Sequence, residues 1–115
     1  MRKMTVGFLG CGNIGCGVWK LLTEFQGDLA HRSGVIFEIK RILVRDIGKK
    51  RDQEVPQALL TTDPAQVTDD PAINMVLEFM GGEEPATRYM LRALEMGKTV
   101  VTANKMALAL NWHIL

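Results

Sequence analysis

The chain has 115 residues, of which 47% are hydrophobic and 23% are charged. This length is typical of one globular domain and is sufficient for a hydrophobic core. The formal net charge is only +1, from 14 basic and 13 acidic residues, so the chain lacks the basic field that nucleic-acid binding requires. The composition therefore predicts one domain over residues 1–115, and nucleic acid is not expected as a partner.

The amino terminus lacks an export or membrane signal of sufficient length. Two basic residues precede a short apolar stretch from Met4 to Leu9. An export signal needs an apolar core of about 7–15 residues, and a membrane helix needs about 20. We therefore expect a cytoplasmic protein that has no membrane partner.

The two cysteines, Cys11 and Cys16, lie five positions apart. This spacing matches neither a C-x-x-C redox pair nor a set of zinc ligands. We expect both to be small buried residues. The sequence shows no cluster of metal ligands, so no metal site is predicted.

The first predicted element is a strand from Met4 to Leu9, because a short apolar run that ends in glycine is typical of a strand buried in a parallel sheet. A single amphipathic helix is predicted from Asn13 to about His31, where Ser33–Gly34 breaks the pattern. Its apolar residues recur at helical spacing: Ile14, Val18, Leu21, Leu22, Phe25 and Leu29.

The middle of the chain predicts two more strands. The β-branched run Ile36–Val44 indicates the second strand, and the polar segment Asp46–Gln57 indicates a surface loop. A short third strand is predicted at Leu59–Thr62. Asp63–Pro64 then offers an N-cap and a first-turn proline for a short helix.

The last part of the chain continues the alternation. The apolar run Met75–Met80 predicts a strand, which Gly81–Gly82 ends. Pro85–Met96 predicts a helix, Thr99–Thr102 predicts another buried strand, and Met106–Leu115 predicts a final helix. The apolar stripe of the first of these helices consists of Tyr89, Met90, Ala93 and Leu94.

Strands that alternate with helices predict an α/β fold, here a Rossmann-like, doubly wound and mainly parallel sheet with helices on both faces. Ligands of such sheets bind at the carboxyl ends of the strands. Four polar or glycine-rich segments lie at the carboxyl ends of predicted strands, and we expect them to form one site. They are Gly10 to Gly15, Val44 to Asp46, Gly81–Gly82, and Ala103 to Lys105.

The first of these breaks has the pattern G-x-G-x-x-G, which is weak alone but stronger between a strand and a helix. Gly10 can make the tight turn, Gly12 can let a pyrophosphate approach the backbone, and Gly15 can allow close packing of the helix. The amides of Asn13 and Ile14 would face the phosphates at the positive end of the helix. The pattern predicts a dinucleotide-binding turn.

The end of the second strand bears on the choice of cofactor. An acidic residue there binds the ribose 2′-hydroxyl of NAD, whereas an arginine accommodates the 2′-phosphate of NADP. Both types are present, as Arg45 and Asp46. Arg45 comes first and Lys49, Lys50 and Arg51 follow, so NADP is slightly favoured and NAD stays open.

Five segments, in this order, resemble the nucleotide-binding half of homoserine dehydrogenase: FLGCGNIGCGV, ILVRD, LLTTDP, MVLEFMGGEEPA and GKTVVTANK. The resemblance extends from Thr5 to Leu108. Its most specific parts are the E-x-x-G-G segment from Glu78 to Gly82 and the T-A-N-K segment from Thr102 to Lys105, which together are far more specific than the glycine pattern.

The resemblance implies a reversible, NAD(P)-dependent interconversion of L-homoserine and L-aspartate 4-semialdehyde, a step in threonine and methionine biosynthesis. It implies that Lys105 lies close to nicotinamide and substrate and acts as the catalytic lysine, in substrate binding or proton transfer. Gly81 and Gly82 would let the cofactor lie against the backbone. Thr102 and Ala103 would border the nicotinamide or its ribose.

Homoserine dehydrogenases continue with a substrate and dimerisation domain. The resemblance therefore implies that residues 1–115 are an incomplete dinucleotide-binding domain, that the whole enzyme is a homo-oligomer, and that this chain alone binds cofactor without turnover. Two alternatives stay open. One is a nucleotide-sensing Rossmann module without catalysis, and the other is an NAD(P)-dependent reductase of another small aldehyde.

Overall fold

Five parallel strands form one sheet within residues 2–49, 55–81 and 84–102, which are the residues that the computed structural model describes. The strands are β1 (Arg2–Leu9), β2 (Val35–Leu43), β3 (Leu60–Thr61), β4 (Met75–Glu78) and β5 (Thr99–Thr102). The helices are α1 (Asn13–Glu24), α2 (Gln26–Ser33), α3 (Ala65–Thr68) and α4 (Ala86–Glu95), with a short 3-10 helix at Gln57–Leu59. The predicted helix Met106–Leu115 lies outside the described residues.

The order of strands across the sheet is β3-β2-β1-β4-β5, and each neighbouring pair is parallel. The chain begins in the middle at β1, moves outward to β2 and β3, and then crosses back to β4 on the other side of β1. Helices α1 and α2 lie in the first crossover, and α3 and α4 lie in the later ones. This order confirms the predicted Rossmann-like, doubly wound sheet.

Two hydrophobic cores hold the layers together, one on each face of the sheet. Alternate residues of β1 contribute to both, because side chains along a strand point to opposite faces. Val6 and Phe8 belong to one core with Cys16 of α1, whereas Leu9 belongs to the other core with Met90 of α4. Each of these residues is 4% exposed or less. Helices therefore cover both faces, as predicted.

The single helix predicted from Asn13 to about His31 is wrong, because the chain forms two helices that meet at Phe25. Phe25 has φ −108° and ψ 22°, which lies outside the helical region. The Thr23 hydroxyl donates to the carbonyl oxygens of Trp19 and Lys20 at 2.9 and 3.2 Å, and such hydrogen bonds bend helices. The apolar spacing continues across the bend, so periodicity alone did not reveal it.

The other predicted elements within the described residues are confirmed with shifted ends. β1 begins at Arg2 instead of Met4, and β2 spans Val35–Leu43 instead of Ile36–Val44. β3, β4 and α4 are shorter than predicted, and β5 has the predicted bounds. The shifts arise because a strand ends where its backbone groups lose their partners in the ladder, which side-chain pattern does not record.

The helices are short. The longest, α1, has 12 residues, and no helix in the described ranges is long and apolar enough to cross a membrane. α3 begins beside Asp63, whose Oδ1 accepts the N–H of Ala65 at 3.0 Å. The predicted short helix is therefore confirmed, but its N-cap is Pro64 and not Asp63, and no side-chain hydrogen bond caps it.

Candidate functional site

An open cleft of about 700 Å³ lies at the carboxyl ends of β1, β2 and β4. The order of strands reverses here, since the chain leaves β1 toward β2 on one side and returns to β4 on the other. Doubly wound sheets bind ligands at this topological switch point. Three of the predicted cofactor residues, Gly10, Gly12 and Arg45, line the cleft.

The glycine turn has a different geometry at each glycine. Gly10 has φ +92°, which side chains disfavour, and its N–H donates to Leu43 O at 3.0 Å. A Cβ at Gly12 would meet no atom within 4 Å, so the backbone there is open. A Cβ at Gly15 would lie 3.3 Å from Phe79 Cδ2. The geometry thus gives a tight turn at Gly10, open space at Gly12 and close helix packing at Gly15, and the approach of a pyrophosphate to Gly12 stays a prediction.

The start of α1 faces this turn with its first amides. Gly12 is the N-cap, and the amide of Cys16 donates to Gly12 O at 3.0 Å, as the first intrahelical hydrogen bond. The amides of Asn13, Ile14 and Gly15 come before it, and such amides have no acceptor within their own helix. Because a helix N-terminus also carries a partial positive charge of about 0.5, it attracts phosphate. Ile14 is 64% exposed. We therefore expect Ile14 to contribute to phosphate binding through its backbone amide and not through its side chain.

Arg45 lies at the lip of the cleft, just beyond the end of β2. Its side chain is exposed, and it forms no ion pair with the described parts of the chain. The carboxylate of Asp46 is already engaged, because its Oδ1 accepts the N–H of Gly48 at 2.9 Å. Lys49 lines the same lip. Among the described residues of this lip, Arg45 carries an exposed positive charge and no ion pair, which favours an anionic group at this position.

The start of α4 supplies part of the opposite wall, which the sequence pattern did not indicate. Pro85 and Tyr89 line the cleft together with Met80. Met80 also packs on the turn, since a Cβ at Gly10 would lie 3.1 Å from Met80 Cγ. Helical spacing identified Tyr89 only as part of an apolar stripe. Its place in the wall follows from where β4 ends, which is a tertiary property.

Glu78 links β4 to β5 beside the cleft. Its side chain is fully buried, and a buried carboxylate is costly unless donors surround it. Its Oε1 accepts the N–H of Met80 and its Oε2 accepts the hydroxyl of Thr102, both at 3.1 Å. Glu78 thus positions the end of β5, and the Thr102 hydroxyl is engaged inside the protein and is not part of the cleft lining.

The remaining predicted site residues, including Ile14 and Gly15, are not part of the described cleft lining. Gly81, with φ +76°, follows β4 and has open space around its Cα. Gly82, Ala103 and Lys105 lie outside the described residues. The catalytic role of Lys105 and the cofactor contacts of all these residues stay predictions.

Cys11 and Cys16 line the cleft and belong to the core beneath it. Each is 4% exposed, which confirms the predicted burial. Their Sγ atoms lie 3.2 Å apart, although a five-residue spacing is not that of a typical redox pair. The turn into α1 brings them together, since the amide of Cys16 also donates to Cys11 O at 2.8 Å.

The opposite end of the sheet is the amino edge, formed here by residues 69–74, which precede β4, and by residues 98–99, where β5 begins. Lys98 is only 6% exposed. Its ammonium group donates to Asp70 O and, at 2.7 Å, to Ile73 O. Burial lowers the pKa of Lys98. Asn74 joins three strands, because it exchanges hydrogen bonds with Thr5 and accepts the N–H of Thr99 at 3.0 Å.

Two carboxylates of the amino edge pair with cations. Arg92 donates to Asp69 through Nε and Nη2, at 3.1 and 3.0 Å. These hydrogen bonds are the main reason that the pKa of Asp69 is lowered. Lys40 Nζ lies 2.6 Å from Asp70 Oδ2 and, by hydrogen bonding, lowers the pKa of Asp70. Polar groups at this edge thus pair with one another.

The cleft combines a phosphate-attracting helix start, an open backbone at Gly12, an apolar wall and a cationic lip. Its volume, about 700 Å³, falls within the range of about 300–1,000 Å³ that is usual for small-molecule sites. Within the residues described, no group of three or more His, Cys, Asp or Glu could hold a metal ion. The arrangement fits an elongated ligand with phosphate near α1 and a second anionic or sugar group near Arg45.

Comparison with known sequences agrees with this geometry. The family model for the NAD binding domain of homoserine dehydrogenase matches residues 10–114. The homoserine dehydrogenase of Bacillus subtilis is 43% identical over 105 residues, which is 91% of this chain and 24% of the relative. That of Corynebacterium glutamicum is 40% identical over 104 residues, 90% of this chain and 23% of the relative. The chain thus spans about a quarter of the length of these relatives.

Solved structures give the same result. A homoserine dehydrogenase from S. aureus, crystallised at pH 7.0, superimposes with a TM-score of 0.91 and 36% identity, covering 100% of this chain and 29% of that one. The enzyme from Thiobacillus denitrificans gives a TM-score of 0.88 and 37% identity, covering 97% of this chain and 26% of that one.

Proposed function

The chain belongs to the family of homoserine dehydrogenase NAD binding domains, and from this premise we propose that its cleft binds NADP or NAD through the turn between β1 and α1. The observation that carries the proposal is the open backbone at Gly12 beside the first amides of α1. A Cβ at Gly12 would project into space that a pyrophosphate needs. The helix start supplies donors and partial positive charge, so this turn needs no lysine.

The test of cofactor binding compares two glycines of the same region. Gly12 and Gly17 both have open space where a Cβ would be, but only Gly12 lines the cleft. Gly12→Ala is expected to weaken NADPH binding at least about tenfold, equivalent to ~1.4 kcal/mol, as measured by isothermal titration calorimetry. Gly17→Ala should leave the affinity within about twofold. Equal effects of the two substitutions, or no binding to the folded wild-type chain, would overturn the proposal.

We propose NADP as the slightly preferred cofactor, with NAD also bound. Arg45 supports this preference, because it lies exposed at the lip where the ribose phosphate of NADP is expected. Asp46 keeps NAD open as a second cofactor, because a carboxylate that accepts the N–H of Gly48 can accept further hydrogen bonds. Titration of the wild-type chain with NADPH and NADH at matched salt measures the preference. Tighter binding of NADH would contradict it.

For the full-length protein that carries this domain, we propose the reversible interconversion of L-homoserine and L-aspartate 4-semialdehyde. When bound, the nicotinamide supplies or accepts the hydride at C4 of the substrate. Lys105 is the proposed catalytic residue, which stabilises the developing alkoxide or transfers a proton. The sequence order supports this role, since Lys105 comes three positions after Thr102, the last residue of β5, whose hydroxyl donates to Glu78 beside the cleft.

The catalytic proposal is tested with the full-length protein and aspartate 4-semialdehyde, by following the oxidation of NADPH. Lys105→Ala is expected to lower kcat about 100-fold or more, because general acid–base catalysis contributes about that much. NADPH affinity should stay within about threefold. The matched control, Lys20→Ala, changes an exposed lysine of α1 and should leave kcat unchanged.

The two alternative functions predict different results in the same assay. A nucleotide-sensing module would bind NADPH but turn over no aldehyde, and Lys105→Ala would change nothing. A reductase of another small aldehyde would oxidise NADPH faster with that aldehyde than with aspartate 4-semialdehyde. The chain of 115 residues alone is expected to bind cofactor without turnover.

We also propose that the full-length protein is a homo-oligomer. Light scattering coupled to size-exclusion chromatography measures its mass directly, and a monomer at micromolar concentration would contradict the proposal. Cytoplasmic localisation stays a prediction from the sequence.

A further inference from the structure

Two thiols meet where the glycine turn enters α1. The Sγ atoms of Cys11 and Cys16 lie 3.2 Å apart, and no disulfide joins them. Their backbones are also close, since the amide of Cys16 donates to Cys11 O at 2.8 Å. A disulfide has about 2.05 Å between its sulfurs, so the two Sγ atoms are only about 1 Å farther apart than bonded sulfurs.

The same two residues connect the apolar core to the cleft. On one side they pack with core residues such as Val6, Phe8 and Ile42. On the other side both belong to the cleft lining. The packed core closes off the first side, so the cleft is the side from which a small oxidant would approach the sulfurs. The chain contains only these two cysteines, so no other thiol of the chain competes for the bond.

We propose that Cys11 and Cys16 form a reversible dithiol–disulfide site in the floor of the cleft, oxidised by a peroxide, and that a bound dinucleotide blocks the oxidation. The second half rests on the proposed cofactor function, whereas the first half does not. The site is a modification site distinct from the residues proposed to bind cofactor or substrate.

The oxidation balances with peroxide as the oxidant. One thiolate attacks a peroxide oxygen, the O–O bond breaks, hydroxide leaves, and the sulfur becomes a sulfenic acid. The second thiolate then attacks that sulfur, the S–S bond forms, and a second hydroxide leaves. The two protons from the thiols convert the hydroxides to water. The sulfurs lose two electrons in total and hydrogen peroxide gains them, while a dithiol reductant reverses the change.

Control by the nucleotide follows from the geometry of the cleft. Gly12 lies between the two cysteines in sequence and lines the same cleft. A dinucleotide whose pyrophosphate lies on Gly12 would cover the route to both sulfurs. At ten times its dissociation constant, NADPH leaves the cleft open in only about one molecule in eleven, so oxidation should slow about tenfold.

The experiment treats the folded chain with hydrogen peroxide, blocks the remaining thiols with N-ethylmaleimide, and measures the intact mass and the linked peptide. The expected product is a monomer that has lost two hydrogen atoms, carries no maleimide and regains both thiols after dithiothreitol. If both thiols stay alkylatable, or are oxidised separately without the cross-link, the dithiol site is overturned. Cys11→Ala and Cys16→Ala are matched controls that cannot form the internal bond, and circular dichroism verifies their folding.

A second arm repeats the oxidation with NADPH, after its binding to the reduced chain has been measured by calorimetry. A tenfold slower cross-link with bound NADPH supports nucleotide control, and an unchanged rate overturns it. If calorimetry shows no binding, the cofactor proposal fails and nucleotide control fails with it. The cross-link measured without nucleotide still decides the dithiol site by itself.

Discussion

The two ends of the parallel sheet use their polar groups in different ways. At the amino edge, the ammonium group of Lys98 is buried against the carbonyl oxygens of Asp70 and Ile73. At the carboxyl edge, the Gly12 backbone is open and Arg45 is exposed at the lip of the cleft. The same fold therefore has one end whose polar groups hold the strands together and one end whose groups face an open cleft.

This difference has an energetic consequence. A buried polar group that loses its partner costs about 1–3 kcal/mol of stability, whereas an exposed group that contacts only a ligand costs little stability when it is removed. Substitutions at the amino edge should therefore change the free energy of unfolding, and substitutions at the carboxyl edge should change nucleotide affinity. Four predictions test this separation.

The largest effect is expected for Lys98→Met. Methionine keeps the length of the side chain but cannot donate to Asp70 O and Ile73 O, so the free energy of unfolding should fall by about 3 kcal/mol. Urea denaturation followed by circular dichroism measures it. The control Lys20→Met removes an exposed lysine, whose Nζ lies 4.0 Å from Glu24, and should cost less than about 0.5 kcal/mol. Similar losses for the two variants would contradict a structural role for Lys98.

The next prediction concerns Glu78, which lies at the carboxyl edge. Unlike Arg45, it is buried and hydrogen-bonded inside the protein, as Lys98 of the amino edge is. Glu78→Ala removes the acceptor for Met80 N–H and for the Thr102 hydroxyl, so the free energy of unfolding should fall by about 2 kcal/mol. Because Met80 lines the cleft, NADPH binding should weaken too.

Glu78→Gln is the matched variant. Its carbonyl oxygen can still accept one of the two hydrogen bonds, and we expect about half of the stability loss of Glu78→Ala. Calorimetric titration of both variants would show whether affinity follows stability. If Glu78→Ala lost affinity without losing stability, Glu78 would belong to the cofactor site and not to the link between β4 and β5.

A smaller effect is expected for Arg45→Ala. Loss of a charged hydrogen bond to the 2′-phosphate should weaken NADPH binding about tenfold, ~1.4 kcal/mol, and leave NADH affinity and stability nearly unchanged. Calorimetry with both nucleotides measures the change in preference. Arg32→Ala removes an arginine of α2 that pairs with Asp28 and should not affect the preference. An equal loss of affinity for NADH would show that Arg45 acts by general attraction and not on the 2′-phosphate.

The smallest effect is a pH dependence at the amino edge. Hydrogen bonds from Arg92 lower the pKa of Asp69 below its ordinary 3.8, so the pair stabilises the fold above that pH. The contribution is lost as the pH falls through the lowered pKa. Arg92→Gln should move the pKa of Asp69 back toward 3.8 and flatten the pH dependence of stability below that pH. NMR titration of the Asp69 carboxyl would measure it, with Arg92→Lys expected to give an intermediate value.

Local sequence pattern predicted much of the fold. The apolar runs before Gly10 and Gly81 indicated strands, and the helical spacing after Asn13 indicated a helix, because the periods of strands and helices are properties of neighbouring residues. The bend at Phe25 escaped this pattern. It depends on hydroxyl contacts of Thr23 that apolar spacing does not record.

The candidate site was predicted only in part, for the same reason. Gly10, Gly12 and Arg45 were identified because each follows a strand in sequence, and all three line one cleft. Pro85 and Tyr89 were not identified, since their place in the opposite wall requires α4 to begin beside the end of β4.

The sequence by itself determined which segments form strands and helices and where the glycine turn lies, because hydrophobic period, turn residues and capping residues act over a few positions. Tertiary structure alone decided which distant groups meet, such as Lys98 with Ile73 and Glu78 with Thr102. It also decided that the amino edge is internally paired and that the carboxyl edge is open. These partners lie 25 and 24 positions apart. Their pairing depends on the order of strands across the sheet, which no local pattern encodes.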